Sequence, residues 1–246
     1  APLNADIAKF FFAAGLPVVE GYGLTETTPV VTVNPLDAIR VGTVGPTIPG
    51  VEIKFASDGE ILVKGPNVMR GYWEKPEDTA EAIDADGWFR TGDIGELDEA
   101  GYLRITDRKK DIIVTAGGKK VAPQPIENIL KTNPFVLNAV MVGDKRKFPA
   151  LLVVPDPDAL AKWAKERNLT YTDIPSLIAQ PDVMAKIERE VMGSLRDLAT
   201  FEMPKKITLL ERDFTIEDGE ITPTLKVKRR VVEEKFADKI DAMYEE

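Results

Sequence analysis

The sequence contains no cysteine and no histidine among its 246 residues. Without cysteine, the chain can form neither disulfides nor thiolate metal sites. Without histidine, Ser-His-Asp and Cys-His catalysis are excluded, and so is zinc binding through imidazole. Any chemistry of this chain must therefore use carboxylates, lysines, hydroxyls, backbone amides or a hard metal ion.

Long apolar runs and an excess of positive charge are also missing. No stretch approaches the roughly 20 apolar residues that a membrane span requires, and the run FFFAAGLPVV lacks the basic start of a signal peptide. The formal net charge of -9 argues against a nucleic-acid partner. The hydrophobic fraction of 43% predicts a soluble globular protein.

The hydrophobic pattern predicts a mixed fold in two parts. A helix, a short strand at residues 17–20 and a glycine loop indicate the edge of an α/β layer. Alternating residues over 51–64 predict a β-hairpin within a small antiparallel region. After Asp107, strand-like runs alternate with helices, the last of which spans about 228–244 and carries an apolar stripe.

The segment GYGLTETT combines residue types that suit a nucleotide and its metal ion. Gly21 and Gly23 let the backbone approach a ligand closely. Tyr22 could stack on a base, Thr25 could donate to a phosphate oxygen, and Glu26 could bind Mg²⁺. A turn around a buried tyrosine explains the same residues equally well.

Three more polar residues allow a functional and an ordinary interpretation. Asp93 lies between glycines and could accept bonds from ribose hydroxyls, although closing an Asx turn is the commoner role. Arg108 offers a planar fork to ribose or phosphate, in a polar run that is either a hinge or a charged linker. Lys226 could neutralise charge on a phosphoryl group, or it is simply a surface lysine.

Four segments in this order resemble the adenylate-forming ligase superfamily, and more narrowly bacterial long-chain fatty acyl-CoA synthetases. They are APLNADIAKFFFAAGLPVVEGYGLTETTPVV, GEILVKGPNVMRGYW, GWFRTGDIGELDEAGYLRITDRKKDIIVTAGGKKVAPQPIE and TPTLKVKRR. The resemblance implies an α/β and α+β fold. Residues 1–107 would end the large nucleotide-binding domain, with an α/β edge and a small antiparallel β region. Residues 108–112 would form a hinge, and 113–246 a small mobile α+β domain.

The resemblance also implies a nucleotide site. In this site Tyr22 stacks on adenine, Asp93 holds the ribose hydroxyls with Arg108 beside them, Thr25 contacts the α-phosphate region, and Glu26 binds Mg²⁺. The implied nucleotide-binding residues are Gly21, Tyr22, Gly23, Thr25, Asp93 and Arg108.

Catalysis is implied for Lys226, Glu26 and Thr25, with Lys226 as the lysine needed for adenylation. A fatty acid would attack ATP to give acyl-AMP and pyrophosphate, and CoA would then displace AMP. Mg²⁺ is the implied cofactor, and ATP, CoA and fatty acid are the implied partners. We expect a cytoplasmic protein without an integral membrane segment, with peripheral contact at the inner membrane as an option. The sequence does not predict an oligomeric state.

The second step depends on a predicted domain movement. The resemblance places Lys110 at the hinge and puts Gly117 and Gly118 in a loop that enters the site for thioester formation. The neighbouring Lys119 and Lys120 could meet CoA phosphates. The run FFFAAGL is the one candidate for membrane contact, but we expect it to form a buried helix face.

Two alternatives stay open, and one departure from the family pattern matters. The chain could belong to a ligase for another carboxylic acid or acceptor, or to a non-catalytic nucleotide-binding module of the same fold. The Ser/Thr/Gly-rich phosphate loop that ends in Pro-Lys-Gly in the family is absent from this sequence. We therefore expect a fragment that is inactive alone.

Overall fold

The computed structural model describes residue 3 and residues 5–223 and 226–245. The chain divides into two compact units, Ala1–Lys110 and Asp111–Glu246.

The first unit begins with α1 (Ala5–Ala13), β1 (Gly21–Tyr22) and β2 (Thr32–Val33). The two short strands pair antiparallel, so the strand predicted at residues 17–20 is wrong and the strand lies just after it. Pro17 has no amide hydrogen to contribute to a ladder, whereas the carbonyl of Tyr22 accepts a 2.7 Å hydrogen bond from the amide of Val31.

A four-stranded antiparallel sheet follows in the first unit, and the pairing of its first two strands confirms the predicted hairpin. Its strands run in the order β3-β4-β5-β6. Asp58 and Gly59 make the hairpin turn, where Gly59 has a φ of +87° that favours glycine. Ile61, Val63 and Leu103 are fully buried on one face of the sheet. The elements are β3 (Glu52–Phe55), β4 (Glu60–Lys64), α2 (Pro76–Ala82), β5 (Phe89–Leu97) and β6 (Leu103–Arg108).

Helix α1 does not bury its phenylalanines, which corrects the prediction of a buried helix face. Phe10 is 68% exposed and Phe12 is 56% exposed, whereas Ala8 is buried. Consecutive residues point in different directions around a helix, and here Ala8 lies on the side that packs. In the part of the chain that the structure describes, no helix has both the length and the apolar character needed to cross a membrane.

The second unit is built on a three-stranded sheet in the order β11-β10-β9. Strand β10 runs antiparallel to β9 and parallel to β11, and the strands predicted at 138–144 and 149–155 are confirmed. The elements are β7 (Ile113–Val114), β8 (Lys120–Val121), α3 (Pro123–Leu130), β9 (Val136–Val142), β10 (Ala150–Pro155), α4 (Pro157–Glu166), α5 (Ile174–Ile178), α6 (Pro181–Ser194), β11 (Ile207–Leu209), α7 (Arg229–Lys235) and α8 (Ala237–Ala242).

Both faces of this sheet are covered, so the central strand is apolar throughout. Because side chains alternate between faces, Leu151 and Val153 join one core with helices α3 to α6, and Leu152 and Val154 join a second core with α7 and α8. The predicted helices over 158–169 and 183–199 are present as α4 and α6, although each ends earlier than predicted.

The last predicted helix is divided in two. Phe236 separates α7 from α8 with a φ of −106°, outside the helical region, and its ring packs edge-on against Phe214 at 6.2 Å between centroids. The predicted stripe is confirmed, because Val232, Phe236, Ile240 and Met243 all join the second core.

Candidate functional site

The GYGLTETT segment forms a rigid turn that presents two polar side chains. After β1, residues Thr25–Thr27 make one turn of 3-10 helix, whose start is fixed by a 2.9 Å bond from the Leu24 amide to the Thr27 hydroxyl. A β-carbon at Gly23 would lie 1.6 Å from the carbonyl oxygen of Pro29, so only glycine fits there. Thr25 is exposed and Glu26 is half-buried.

Residues of the GPNVMRGYW segment hold this turn in place. The Asn67 side-chain amide donates to the carbonyls of Thr27 at 3.1 Å and Val30 at 2.8 Å. The Met69 amide donates to the Glu26 carbonyl at 2.8 Å. The backbone that carries Thr25 and Glu26 is therefore held by hydrogen bonds from a second segment. The sequence did not reveal this contact.

Tyr72 orients the Glu26 carboxylate. The Tyr72 hydroxyl donates a 3.0 Å hydrogen bond to Oε1 of Glu26. Burial and the adjacent Glu26 raise the pKa of Tyr72 above its ordinary value, so its hydroxyl stays a donor at neutral pH. The described residues contain no group of three or more Asp, Glu, Cys or His side chains arranged for a metal. Magnesium bound by a single carboxylate, phosphate oxygens and water fits this donor set.

Asp93 meets two partners from distant parts of the sequence. It lies within β5 and is only 5% exposed, so the Asx-turn interpretation is wrong. The Tyr22 hydroxyl donates to its Oδ2 at 2.7 Å, and Nε of Arg108 donates to its Oδ1 at 3.1 Å. Asp93 and Arg108 are direct cross-strand neighbours on β5 and β6, which explains their contact.

Burial and the charge of Asp93 keep the Tyr22 hydroxyl protonated, so that it can donate a hydrogen bond. Burial, together with the negative charge of Asp93, raises the pKa of the Tyr22 phenol well above its ordinary value. The ring packs partly against the core of the first unit. The Arg108 side chain is 58% exposed although it pairs with a buried carboxylate, so its guanidinium remains accessible to a ligand.

Lys109 fixes the backbone next to the boundary between the two units. Its ammonium contacts Oδ2 of Asp58 at 2.6 Å and Oε2 of the buried Glu60 at 2.9 Å. Hydrogen bonds to Asp58 and Glu60 raise the pKa of Lys109. The backbone amide of Lys109 also donates a hydrogen bond to the carbonyl of Gly92 at 2.8 Å. The chain is therefore held firmly up to the residue before Lys110, which the sequence did not indicate.

The glycines expected to serve thioester formation lie in the turn between β7 and β8. Gly117 and Gly118 are exposed, as are Lys119 and Lys120. Gly118 has a φ of +74°, and its amide donates to the carbonyl of Thr115 at 2.8 Å. The turn with two glycines was predicted and is confirmed.

Lys226 is exposed on a short hairpin of the second unit. Ile221 and Val227 form an antiparallel bridge across this hairpin. The structure thus joins Tyr22, Asp93 and Arg108 in one hydrogen-bonded trio of the first unit, and it places Lys226 in the other unit.

Two family models match the chain and together cover most of it. Residues 1–73 match the model described as AMP-binding enzyme, and residues 110–217 match the model described as AMP-binding enzyme C-terminal domain. The chain therefore belongs to the AMP-binding, or adenylate-forming, enzyme family, and the resemblance inferred from the sequence is confirmed.

Among curated proteins, the chain is similar to fatty acid–CoA ligases. The chain is 44% identical over 245 residues to long-chain-fatty-acid–CoA ligase FadD15 of Mycobacterium tuberculosis, covering 99% of this chain and 41% of that protein. It is 38% identical over 261 residues to long-chain-fatty-acid–CoA ligase 6 of Homo sapiens, covering 99% and 37%. The chain thus spans about two fifths of the length of the curated relatives it matches.

Two solved structures are similar to this chain in fold. ATP-bound MatB from Rhodopseudomonas palustris matches with a TM-score of 0.70 and 32% identity, over 97% of this chain and 44% of that chain. The A domain of carboxylic acid reductase from Segniliparus rugosus, in complex with AMP and a carboxylic acid, matches with a TM-score of 0.80 over 99% and 38%. At 24% identity, this second match shows the fold alone. The predicted α/β and α+β fold class is confirmed.

Proposed function

We propose that this chain carries nucleotide-binding and catalytic residues of a long-chain fatty acid–CoA ligase. The reaction joins a fatty acid to CoA at the expense of ATP and proceeds through acyl-AMP. The observation that carries the proposal is the convergence of Tyr22 and Arg108 on the buried carboxylate of Asp93. The curated relatives support the choice of a long-chain fatty acid as the substrate.

The first unit binds the nucleotide in this proposal. Asp93 accepts hydrogen bonds from the ribose hydroxyls, Arg108 lies beside them, and the Tyr22 ring contacts adenine. Thr25 donates to the α-phosphate region, and Glu26 binds Mg²⁺, which shields phosphate charge when it is present. The rigid turn around Gly23 supports these roles, because a fixed backbone keeps polar side chains in place without a reorganisation cost. Gly21 and Gly23 line the channel for nucleotide and acyl chain.

The second unit supplies the adenylation lysine. The fatty acid carboxylate attacks the α-phosphorus of ATP, a new oxygen–phosphorus bond forms, and pyrophosphate leaves. The ammonium of Lys226 stabilises the negative charge on the phosphoryl oxygens during this step.

Thioester formation uses another face of the same unit. We propose that residues 108–112 act as a hinge, with the backbone pivot at Lys110 and the small domain at 113–246. The anchoring of Lys109 to Asp58 and Glu60 supports a pivot immediately after it. The turn with Gly117 and Gly118 then approaches the acyl-AMP, and Lys119 and Lys120 meet the CoA phosphates. The CoA thiolate attacks the acyl carbonyl, and AMP leaves.

Two other functions are alternatives that the experiment below distinguishes. A ligase for a medium-chain or aryl acid, or for a carrier-protein acceptor, would keep the same nucleotide site. A non-catalytic nucleotide-binding module would keep the fold without turnover. A cytoplasmic location with peripheral contact at the inner membrane stays a prediction.

The experiment measures product formation by the complete polypeptide that contains residues 1–246. Palmitate, octanoate and benzoate are supplied in turn with ATP, Mg²⁺ and CoA, and acyl-CoA and AMP are quantified by mass spectrometry. The proposal predicts palmitoyl-CoA and AMP in equal amounts, with palmitate preferred. Turnover of benzoate alone would identify another ligase, and AMP binding without turnover of any acid would identify a binding module.

A further inference from the structure

The backbone of Lys226 is held by hydrogen bonds across its hairpin. Its carbonyl accepts from the Thr222 amide at 2.8 Å, and its amide donates to the Thr222 hydroxyl at 3.0 Å. One step further along the stem, the Lys228 amide donates to the Glu220 carbonyl at 2.7 Å. The position of Lys226 therefore depends on where the two ends of this stem are fixed.

A carboxylate–guanidinium pair fixes the first end. Glu220 is 0% exposed, and Arg212 donates to both of its carboxylate oxygens at 2.7 Å. The Thr215 amide adds a third bond to the same carboxylate at 3.0 Å. The Arg212 fork lowers the pKa of the Glu220 carboxyl, so it stays ionised and paired at neutral pH.

A second such pair fixes the other end. Arg229 directly follows Lys228, and its side chain is largely buried. Its Nη2 donates to Oε1 of Glu127 on α3 at 2.8 Å, and its Nη1 donates to the carbonyl of Met141 on β9. The Met141 amide donates to the same Glu127 oxygen at 2.7 Å. The end of the hairpin is thus tied to a helix and a strand of the core.

We propose that the pairs Glu220–Arg212 and Arg229–Glu127 are positioning residues that aim the Lys226 hairpin for the adenylation step. The inference rests on the proposed function. A lysine ammonium sits on a flexible four-carbon stem, so its location near a reacting phosphate requires a fixed backbone. A displacement of about 1 Å can cost roughly 100-fold in rate. A buried charge whose partner is removed destabilises the segment that carries it.

The effect is selective because the glycine turn is held by different contacts. The Ala116 amide donates to the carbonyl of Arg146 at 2.8 Å, and the Gly118 amide donates to Thr115 at 2.8 Å. Loss of a hairpin pair should therefore impair adenylation and spare thioester formation. A general loss of folding would impair both.

The first test measures hydrogen exchange of the hairpin amides in the chain itself. Arg229→Gln is compared with Arg230→Gln, because Arg230 is exposed and pairs with Glu234 one turn along the same helix. We expect exchange at Thr222 and Lys228 to accelerate at least tenfold in Arg229→Gln and to stay within about twofold in Arg230→Gln, since opening governs exchange. Unchanged exchange in Arg229→Gln would overturn the inference, whatever the activity of the protein.

The second test separates the half-reactions of the complete polypeptide. Palmitate-dependent ATP–pyrophosphate exchange reports adenylation, and palmitoyl-CoA formation from supplied palmitoyl-AMP reports the thioester step. We expect Arg229→Gln and Glu220→Gln to lower the exchange about 10- to 100-fold and to change the thioester rate less than threefold. Arg229→Lys, which keeps the positive charge, should recover part of the ATP–pyrophosphate exchange rate that Arg229→Gln loses.

The outcomes distinguish this inference from the proposed function. Equal losses in both half-reactions would show a merely structural role and overturn the inference. Normal exchange in Arg229→Gln and Glu220→Gln would overturn it as well. If the unsubstituted protein shows no ATP–pyrophosphate exchange with any carboxylic acid, the proposed function fails. The positioning role for adenylation then fails with it.

Discussion

The hydroxyl of Tyr22 donates a 2.7 Å hydrogen bond to Oδ2 of Asp93, a residue 71 positions away in the sequence. This bond links the short strand β1 to β5, an inner strand of the four-stranded sheet. The other oxygen of Asp93 is engaged by Arg108. An aromatic ring, a carboxylate and a guanidinium thus occupy one site, a combination that suits adenosine.

Asp93→Asn should weaken nucleotide binding. The change keeps the shape of the side chain but removes the charge that accepts bonds from Tyr22 and from ribose. Loss of hydrogen bonds to a charged group costs about 1.5–3 kcal/mol, or roughly 10- to 100-fold in the dissociation constant of AMP measured by calorimetry. Asp98→Asn, at a half-buried turn residue that pairs with Arg40 rather than with Tyr22 or Arg108, is the control and should bind AMP normally. Equal affinity in the two variants would contradict the role of Asp93.

Glu26→Gln should raise the magnesium concentration that half-saturates activity, because an amide is a weaker ligand than a carboxylate for a hard cation. We expect a shift of about tenfold or more in a titration of pyrophosphate exchange against Mg²⁺. Tyr72→Phe should give a smaller shift, since it removes only the bond that orients Glu26. Glu81→Gln on the exposed face of α2 is the matched control. An unchanged titration in Glu26→Gln would exclude Glu26 as a metal ligand.

Lys110→Pro should uncouple the two half-reactions. Proline fixes φ near −65°, so a pivot that needs two backbone conformations at this position is restricted to one. We expect one half-reaction to persist within about threefold and the other to fall by about 100-fold or more. Lys110→Ala removes the same side chain without fixing φ and should retain both. Normal activity of the proline variant in both assays would place the pivot elsewhere.

Glu220 should make the stability of the second unit sensitive to acid. Its folded pKa is lowered by Arg212, so its contribution is complete above the ordinary glutamate value of about 4.3 and is lost as the pH falls through the lowered pKa. Glu220→Gln should lower the apparent free energy of unfolding by about 1–3 kcal/mol at pH 7, and this deficit should shrink below about pH 4.

Urea unfolding followed by circular dichroism at pH 7, 5 and 3.5 measures this difference. Glu217→Gln, at an exposed position three residues away, is the control and should show no deficit at any of these pH values. A deficit in Glu220→Gln that is the same at all three pH values would contradict the assignment.

Much of the fold could be predicted from the sequence where an element depends only on residues close together in the chain. The hairpin over 51–64 follows from alternating side chains around an Asp-Gly turn. The stripe of the last helical segment follows from helical spacing. The break at Phe236 does not follow from that spacing, and the ring of Phe236 packs against Phe214, a residue distant in sequence. The strand expected at 17–20 was wrong because the pairing partner, not the apolar run, decides where a short strand forms.

The site was only partly predictable for the same reason. Motif order indicated Glu26, Asp93 and Arg108 as candidates. Bonds between distant residues, such as Tyr72 to Glu26 and Lys109 to Glu60, leave no signal in spacing. The Asx-turn interpretation of Asp93 failed because its glycine neighbours lie within a strand. The sequence thus indicated candidate residues, and the structure showed which distant residues form hydrogen bonds with them.

The most direct test of the account is palmitate-dependent ATP–pyrophosphate exchange by the complete polypeptide with Lys226→Ala. Lys239→Ala, at an exposed position on α8, serves as the matched control. The account predicts a fall of about 100-fold or more for Lys226→Ala, because the ammonium acts on charge that develops during phosphoryl transfer. Lys239→Ala should exchange at the unsubstituted rate. Exchange by Lys226→Ala at that same rate would contradict the claim that this lysine serves adenylation.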